Sequence, residues 1–438
     1  MMGTDMIMKV RHVATAADGV NLFAVIDGPK IGESTEAPCI ELTGWAVHAS
    51  QQFREIRAIG KYVDVRAMRY PRPGVVSAFK DRFAVNEYCG FYVHLWACDI
   101  ADDPHIEVQA ITEDGATITI AQFEIDATRP SRSQFYSSET DVPAILIVSN
   151  VGRSGSSLLM GSLLKHPSVV GSRSPSYESH LIQGHVARLK LEIMYTYPMV
   201  YFYRPWYNDD IRGMELYGIT RSELPTVQPF LINQHMENFS KLVSSYARDV
   251  LSTGNRTDVF VCEKATQPAQ RDVARFLSWY WPRYREIVLV RDPRDLICSY
   301  VAFDAARGIE GRGFSEGLQT NPEAFFERIG RSYQELALRV SHSGPSLMVV
   351  TYESLILEPR TTMRRICDWL GIDNSHATME ALLNKSDLQF EMGAKHVTSG
   401  DPRETIGRWK RDLPQSYLPL IDKYVRDAAT FFGYLESR

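Results

Sequence analysis

The chain has only six cysteines in 438 residues: Cys39, Cys89, Cys98, Cys262, Cys298 and Cys367. They are scattered, with no Cys-x-x-Cys spacing and no clustered histidines. That argues against a disulfide framework or a zinc site and fits free thiols in a reducing cytoplasm. Apolar runs are short, and nothing approaches the roughly eighteen consecutive apolar residues of a membrane span. The first twenty residues carry no long apolar stretch after Lys9 and Arg11, so no signal peptide is expected. A basic excess is also missing. With 48 Lys and Arg against 53 Asp and Glu, the net charge is −5, which does not suit a nucleic-acid or membrane-surface binder. No internal repeat or low-complexity tract occurs. What remains is a globular composition, 44% hydrophobic and 23% charged, long enough for two or three domains.

The most informative stretch is Ala144 to Pro167. Ile145 to Val148 is a short run of branched apolar residues, as expected for a strand buried on both faces of a parallel sheet. Val151-Gly-Arg-Ser-Gly follows as a loop, and Ser156 to Lys165 reads as a helix closed by His166-Pro167. Strand, glycine-rich loop and helix turn backbone N–H groups and a helix N-terminus toward one anion. Arg153 adds a fixed charge, and Ser154, Ser156 and Ser157 add hydroxyl donors. No lysine follows Gly155, so this is not the nucleotide-triphosphate loop. An ordinary strand-turn-helix is the plainer alternative.

From Asn21 to Ala127 the signals are short strands and turns, which suggest an all-β sandwich domain over residues 1–130. Ile106 to Ile111 and Thr117 to Ile125 alternate about a Glu113-Asp-Gly turn, a hairpin with one buried face. Further strand candidates are Cys39–Val47, Ile56–Ile59, Tyr62–Ala67 and Gly90–Trp96. Trp45, Phe91 and Trp96 are either core aromatics or a sugar-binding surface, and large aromatics are usually well buried. Gly44-Trp45-Ala46, Tyr70-Pro-Arg-Pro-Gly-Val and Gly90-Phe91 resemble an accessory β-domain that precedes the transferase domain in bacterial surface-polysaccharide enzymes. Residues 131–140 are polar and read as a linker.

Residues 175–258 lack the strand–helix rhythm and read as a mostly helical insertion, dense in aromatics from Tyr195 to Tyr207 beside Asp209 and Asp210. Those rings could stack on a sugar or pack a helical core. The parallel-sheet pattern returns at Asp258-Val-Phe-Val-Cys-Glu-Lys, which delivers Glu263 and Lys264 to the carboxyl end of a strand, where open α/β sheets place ligands. Arg271–Trp281 reads as a helix. Arg285 to Arg291 is another buried strand, leading through Asp292-Pro293 into a helix with Ser299. Leu347 to Glu353 is a further strand. Thr361 to Leu370 is an amphipathic helix with Gly371 as its cap.

Four blocks in order then carry a specific resemblance. Arg153-Ser-Gly-Ser-Ser-Leu, Arg291-Asp-Pro-Arg-Asp-Leu-Ile-Cys-Ser-Tyr, Tyr352-Glu-Ser-Leu with Pro359 and Cys367-Asp-Trp-Leu-Gly, and Ile406-Gly-Arg-Trp-Lys all stand in this sequence. From about residue 141 to 438 the chain resembles the sulfotransferases that use 3′-phosphoadenosine 5′-phosphosulfate, in particular their bacterial, carbohydrate and tyrosylprotein branches. The resemblance implies a nucleotide-kinase-like α/β fold with a central parallel sheet and flanking helices. It implies sulfuryl transfer to a hydroxyl of a glycan or glycoconjugate acceptor, with no metal. It places the 5′-phosphosulfate on Arg153, Ser154, Gly155, Ser156, Ser157 and Leu158, and the 3′-phosphate on Arg291 and Ser299. Arg408, Trp409 and Lys410 fall in the segment that closes over the nucleotide.

Lys264 matches the lysine that relatives hold against the bridging oxygen. Its alternative reading is a surface lysine paired with Glu263. Relatives carry a general base shortly after the first helix. Glu178 follows His166-Pro167 at a slightly longer spacing, and His180, with an ordinary pKa of about 6.5, is the second candidate. A nucleotide-dependent kinase is the rival activity, disfavoured by the missing loop lysine and the lack of a magnesium carboxylate motif. A glycan-binding protein without activity on the same fold is the other.

Overall fold

The computed structural model describes residues 8–35, 39–61, 63–101, 103–128, 142–173, 177, 179–196, 224–251, 253, 258–266, 268–309, 312–342, 344–384 and 401–436. The expected linker at 131–140, Glu178 and the aromatic stretch from Tyr197 to Asp210 lie outside them. The chain forms two compact units, Met1–Ser137 with Ala187–Phe239, and Ser138–Val186 with Ser240–Arg438.

The first unit holds a β domain of two antiparallel sheets. Its strands are β1 Met8–Thr15, β2 Leu22–Gly28, β3 Ser34–Thr35, β4 Cys39–His48, β5 Phe53–Ile59, β6 Asp64–Arg66, β7 Met68–Tyr70, β8 Gly90–Trp96, β9 His105–Thr112 and β10 Thr117–Ala127. One sheet runs β3-β1-β10-β9-β5-β6 and the other β2-β4-β8-β7. The expected hairpin is β9 and β10, with Ile111 opposite Thr117. On β9, Ile106, Val108, Ala110 and Thr112 are buried in strict alternation, the signature of a sheet with one face on a core. Every residue of β8 is buried. Phe91 and Trp96 are therefore core residues, while Trp45 is half-buried and packs beside Phe79 on the Val47, Val75 and Cys89 cluster. Gly44 is required here, because a Cβ would lie 2.4 Å from the Val25 carbonyl and 2.9 Å from the Phe91 ring. Sequence reading passed over β1 and β2 and also the helix Pro73–Phe79, which begins with Pro73 in its first turn.

The second unit is built on a five-stranded parallel sheet, β12-β13-β11-β14-β15, with helices around it. Its strands are β11 Ala144–Asn150, β12 Val169–Val170, β13 Phe260–Ala265, β14 Tyr284–Val290 and β15 Leu347–Thr351. All of β11 is buried, as its branched apolar run demands, and it pairs with β13 on one side and β14 on the other. The helices Leu181–Thr196 and Leu224–Ser245 occupy described parts of the stretch read as helical. One expectation is corrected. The strand thought to run through Glu353 ends at Thr351, whose hydroxyl accepts from the Ser354 amide at 3.1 Å and starts the helix Tyr352–Leu357. Gly371 caps the helix Pro359–Leu370 in the left-handed conformation, φ 69°.

A buried ion pair fixes β14. Arg339 Nε lies 2.7 Å from both oxygens of Glu286, which also accepts from Ser149 Oγ at 2.6 Å and Tyr284 OH at 2.8 Å. Replacing Glu286 by Ala would leave the buried Arg339 cation without the carboxylate it pairs with. A loss of about 3–5 kcal/mol is expected, measured by urea unfolding, and an unchanged midpoint would contradict the pairing.

Candidate active site

The ends of β13, β11 and β14 lie side by side and carry Lys264, the loop 151–155 and Arg291. Val148 is in register with Lys264, and Asn150 with Leu289. Asn150, at the end of β11, holds the β13 end with its amide, which donates to Ala265 O at 3.4 Å and Thr266 Oγ1 at 3.3 Å.

The loop has left-handed backbone at Arg153 (φ 66°) and Gly155 (φ 91°). A non-glycine residue held at positive φ is uncommon and often marks a functional turn. Gly155 is also a close approach, since a Cβ there would lie 2.5 Å from the Tyr352 ring. Gly155→Ala should therefore cost about 1–3 kcal/mol of stability in a denaturation experiment, from strain and crowding together. A cost below a few tenths would contradict this packing. Gly155 precedes the helix Ser156–Leu163, whose first turn has no side-chain cap. The amide ends of Ser156, Ser157 and Leu158 belong to that turn, where a helix offers its positive end.

Ser154 is 0% exposed, and its Oγ has no hydrogen-bond partner among the described residues. Arg291, 3% exposed, is tied through Nη1 to Arg153 O at 3.2 Å and through Nη2 to Thr405 O at 2.8 Å, while its buried Nε has no partner among the described residues. Both of these bonds end on backbone carbonyls. Its guanidinium lies 4.3 Å over the Tyr352 ring, and that of Arg153 lies 4.2 Å over Phe303. Burial, and then the charge of Arg291, lower the Arg153 pKa to about 10. Two neighbouring guanidiniums that disfavour each other, beside a buried hydroxyl with no partner among the described residues, favour an anion here. A phosphate or sulfate group fits these donors.

Ser299 is buried in the helix Pro293–Ala306, two turns beyond Asp292, which caps that helix by accepting from the Arg294 amide at 2.9 Å. No hydrogen bond joins Ser299 to Arg291 or to the loop among the described residues. The late segment is brought to Arg291 by Asp295, which accepts from Gly407 N at 2.6 Å and Trp409 N at 2.9 Å. Trp409 lies under the Arg294 guanidinium at 4.0 Å. Arg408 is held by Asp412 at 2.8 Å, and Lys410 is exposed.

Lys264 is 4% exposed and is not a surface lysine. Alternation along β13 sends Glu263 to the opposite face. The Glu263 carboxylate accepts from Ile182 N at 2.9 Å, Gln183 N at 3.2 Å and Ser179 Oγ at 3.2 Å, anchoring the start of the helix Leu181–Thr196. Its pKa is raised by burial, against these donors. His180 sits at that helix start with φ 48°, half-buried, and its carbonyl accepts from Gly184 N. The structure thus brings together Arg153, Ser154, Gly155 and Arg291, and sets Lys264 and the His180 turn around one strand end. Tyr352, Thr405, Asp295 and Glu263 also build the site, in roles that sequence reading did not assign to them.

A parallel α/β sheet with an anion cradle across its strand ends defines the class of protein. A sulfotransferase family model matches residues 143–376, more than half of the chain, and the protein belongs to the sulfotransferase family. No curated protein matches the chain. Among solved structures, the sulfotransferase domain from the curacin biosynthetic pathway is similar at 16% identity and a TM-score of 0.40, over 67% of this chain and 99% of that one. The sulfotransferase domain of the Synechococcus PCC 7002 olefin synthase is similar at 20% identity and a TM-score of 0.37, over 69% and 99%. Mouse sulfotransferase SULT7A1 complexed with PAP is similar at 12% identity and a TM-score of 0.34, over 70% and 91%. Among the described residues no helix is long and apolar enough to cross a membrane, and no cluster of His, Cys, Asp and Glu could hold a metal ion.

Proposed function

We propose that the protein transfers a sulfuryl group from 3′-phosphoadenosine 5′-phosphosulfate to a hydroxyl of a glycan or glycoconjugate. The observation that carries this reading is the meeting of Arg153 and Arg291, whose charge helps lower the Arg153 pKa to about 10, beside the buried Ser154 hydroxyl, which has no hydrogen-bond partner among the described residues. The donor, when bound, supplies an activated sulfuryl group on a phosphate leaving group. Arg153, Ser154, Gly155, Ser156, Ser157 and Leu158 hold its 5′ end, and Arg291 with Ser299 its 3′-phosphate. Arg408, Trp409 and Lys410 lie over the nucleoside. Lys264 provides a fixed positive charge where negative charge develops on the leaving oxygen. Glu178 or His180 takes the proton of the attacking hydroxyl.

In this reading residues 141–438 form the transferase domain, and 175–258 contribute the acceptor site. Residues 1–130 are an accessory domain of the kind that bacterial surface-polysaccharide enzymes carry, with 131–140 as the linker. The six cysteines are free and buried, which suits a reducing cytoplasm. Purified protein given sulfur-labelled donor and a panel of extracted glycans should label at least one of them without added metal. Label that stays entirely with the donor across the panel would count against the reading.

A further inference from the structure

Among the described residues, the edge of β13 is only partly covered. β12 pairs with it at Phe260 and Val261 alone, so Cys262 to Ala265 run past their neighbour. The chain leaving β12 hugs the next carbonyl, since a Cβ at Gly171 would lie 2.6 Å from Cys262 O. The following carbonyl on that strand end, Lys264 O, is covered by a side chain. Gln183 Nε2 donates to it at 2.7 Å.

That bond fixes the orientation of the carboxamide. Lys264 O only accepts, so the nitrogen must face it, and Oε1 is the atom left over. Gln183 is 3% exposed, and Oε1 is buried with no hydrogen-bond partner among the described residues. Two polar groups of the same turn are already engaged. The Ser179 hydroxyl is committed to Glu263, and the Glu263 carboxylate is itself occupied by the amides of Ile182 and Gln183. A buried acceptor without a donor is costly, and such atoms in native proteins call for an explanation.

We propose that Gln183 is an acceptor-binding residue, whose Oε1 accepts a hydrogen bond from a hydroxyl of the sugar being sulfated. The assignment rests on the sulfuryl-transfer reading. It follows from position: Gln183 is bonded to the backbone of Lys264 and lies three residues beyond His180, so it adjoins in the chain or by hydrogen bond both residues assigned to the chemistry. A polyhydroxylated acceptor offers a second hydroxyl next to the one that reacts, and a buried carbonyl oxygen would select for it.

The test compares Gln183→Met with Gln183→Glu. Both lose the amide that bonds Lys264 O, but only Glu keeps an oxygen acceptor. Methyl glycosides of glucose, galactose, mannose and N-acetylglucosamine are titrated by NMR against full-length protein saturated with adenosine 3′,5′-bisphosphate. At least one glycoside should bind the wild type, bind Gln183→Met roughly tenfold or more weakly, and bind Gln183→Glu within a few-fold of wild type. Both variants should hold the bisphosphate as wild type does, which shows that they are folded. Equal losses in the two variants would reduce Gln183 to a structural plug and overturn the proposal. So would unchanged binding in Gln183→Met, or a wild type that takes the bisphosphate and none of the glycosides. A wild type that does not bind the bisphosphate would instead remove the sulfuryl-transfer reading, and this assignment with it.

Discussion

Lys264→Ala is expected to lower kcat by about 10²–10³-fold, the usual effect of removing one preorganised donor to a developing anion. The fall should appear in kcat rather than in nucleotide affinity. Lys264 is buried at the end of β13, one strand away from the β11–β14 side where Arg291 meets the loop. In the proposed mechanism its charge acts where negative charge grows during transfer, and a group that acts only there changes kcat and kcat/KM together. Adenosine 3′,5′-bisphosphate should bind the variant within a few-fold of wild type. Equal losses in turnover and in nucleotide affinity would make Lys264 a binding residue and refute the role given to it.

Arg291→Ala should show the opposite profile, with nucleotide affinity falling roughly a hundredfold, as expected when charge-assisted hydrogen bonds to an anion are lost. Two effects combine. The direct one is loss of the guanidinium whose Nε is buried and unpartnered among the described residues. The indirect one is loss of the two bonds by which Arg291 ties Arg153 O and Thr405 O together, which join the loop to the late segment. Arg291→Lys should recover little, because one ammonium cannot reproduce three separated N–H directions. Removing the Arg291 charge also relieves Arg153, whose pKa should move back up from about 10. A lysine variant with wild-type affinity would mean that charge alone matters at this position.

Much of the second unit was legible because buried parallel strands announce themselves. Ala144–Asn150, Phe260–Ala265 and Tyr284–Val290 are buried strands rich in branched or apolar residues, and each carries a site group at or just beyond its end. The β domain was legible where alternation was strict, as in β9. It was not legible in β1, where Lys9, Arg11 and His12 interrupt the pattern and only Met8 and Val10 are fully buried. Cross-chain ties left the least trace. Asp295 meets Gly407 and Trp409 across more than a hundred residues, and nothing local distinguishes it from an ordinary first-turn acid. Glu263 looked like a partner for Lys264 because the two are adjacent. Adjacency on a strand instead sends them to opposite faces, and the carboxylate is spent on a helix start. Tyr352 read as the end of a strand, yet its ring stands under Arg291 and against Gly155, and its hydroxyl is 2.9 Å from Thr405 Oγ1.

The central claim is that Arg153, Ser154 and Arg291 form a cradle for a nucleotide with anions at both its 3′ and 5′ ends. Isothermal titration of the wild-type protein with adenosine 3′,5′-bisphosphate, beside adenosine 5′-monophosphate, tests it most directly. The account predicts one site that takes the bisphosphate, weakens as salt is raised, binds the monophosphate far less well, and is lost in Arg291→Ala. Equal affinity for the two nucleotides, or no binding of the bisphosphate at low salt, would contradict it.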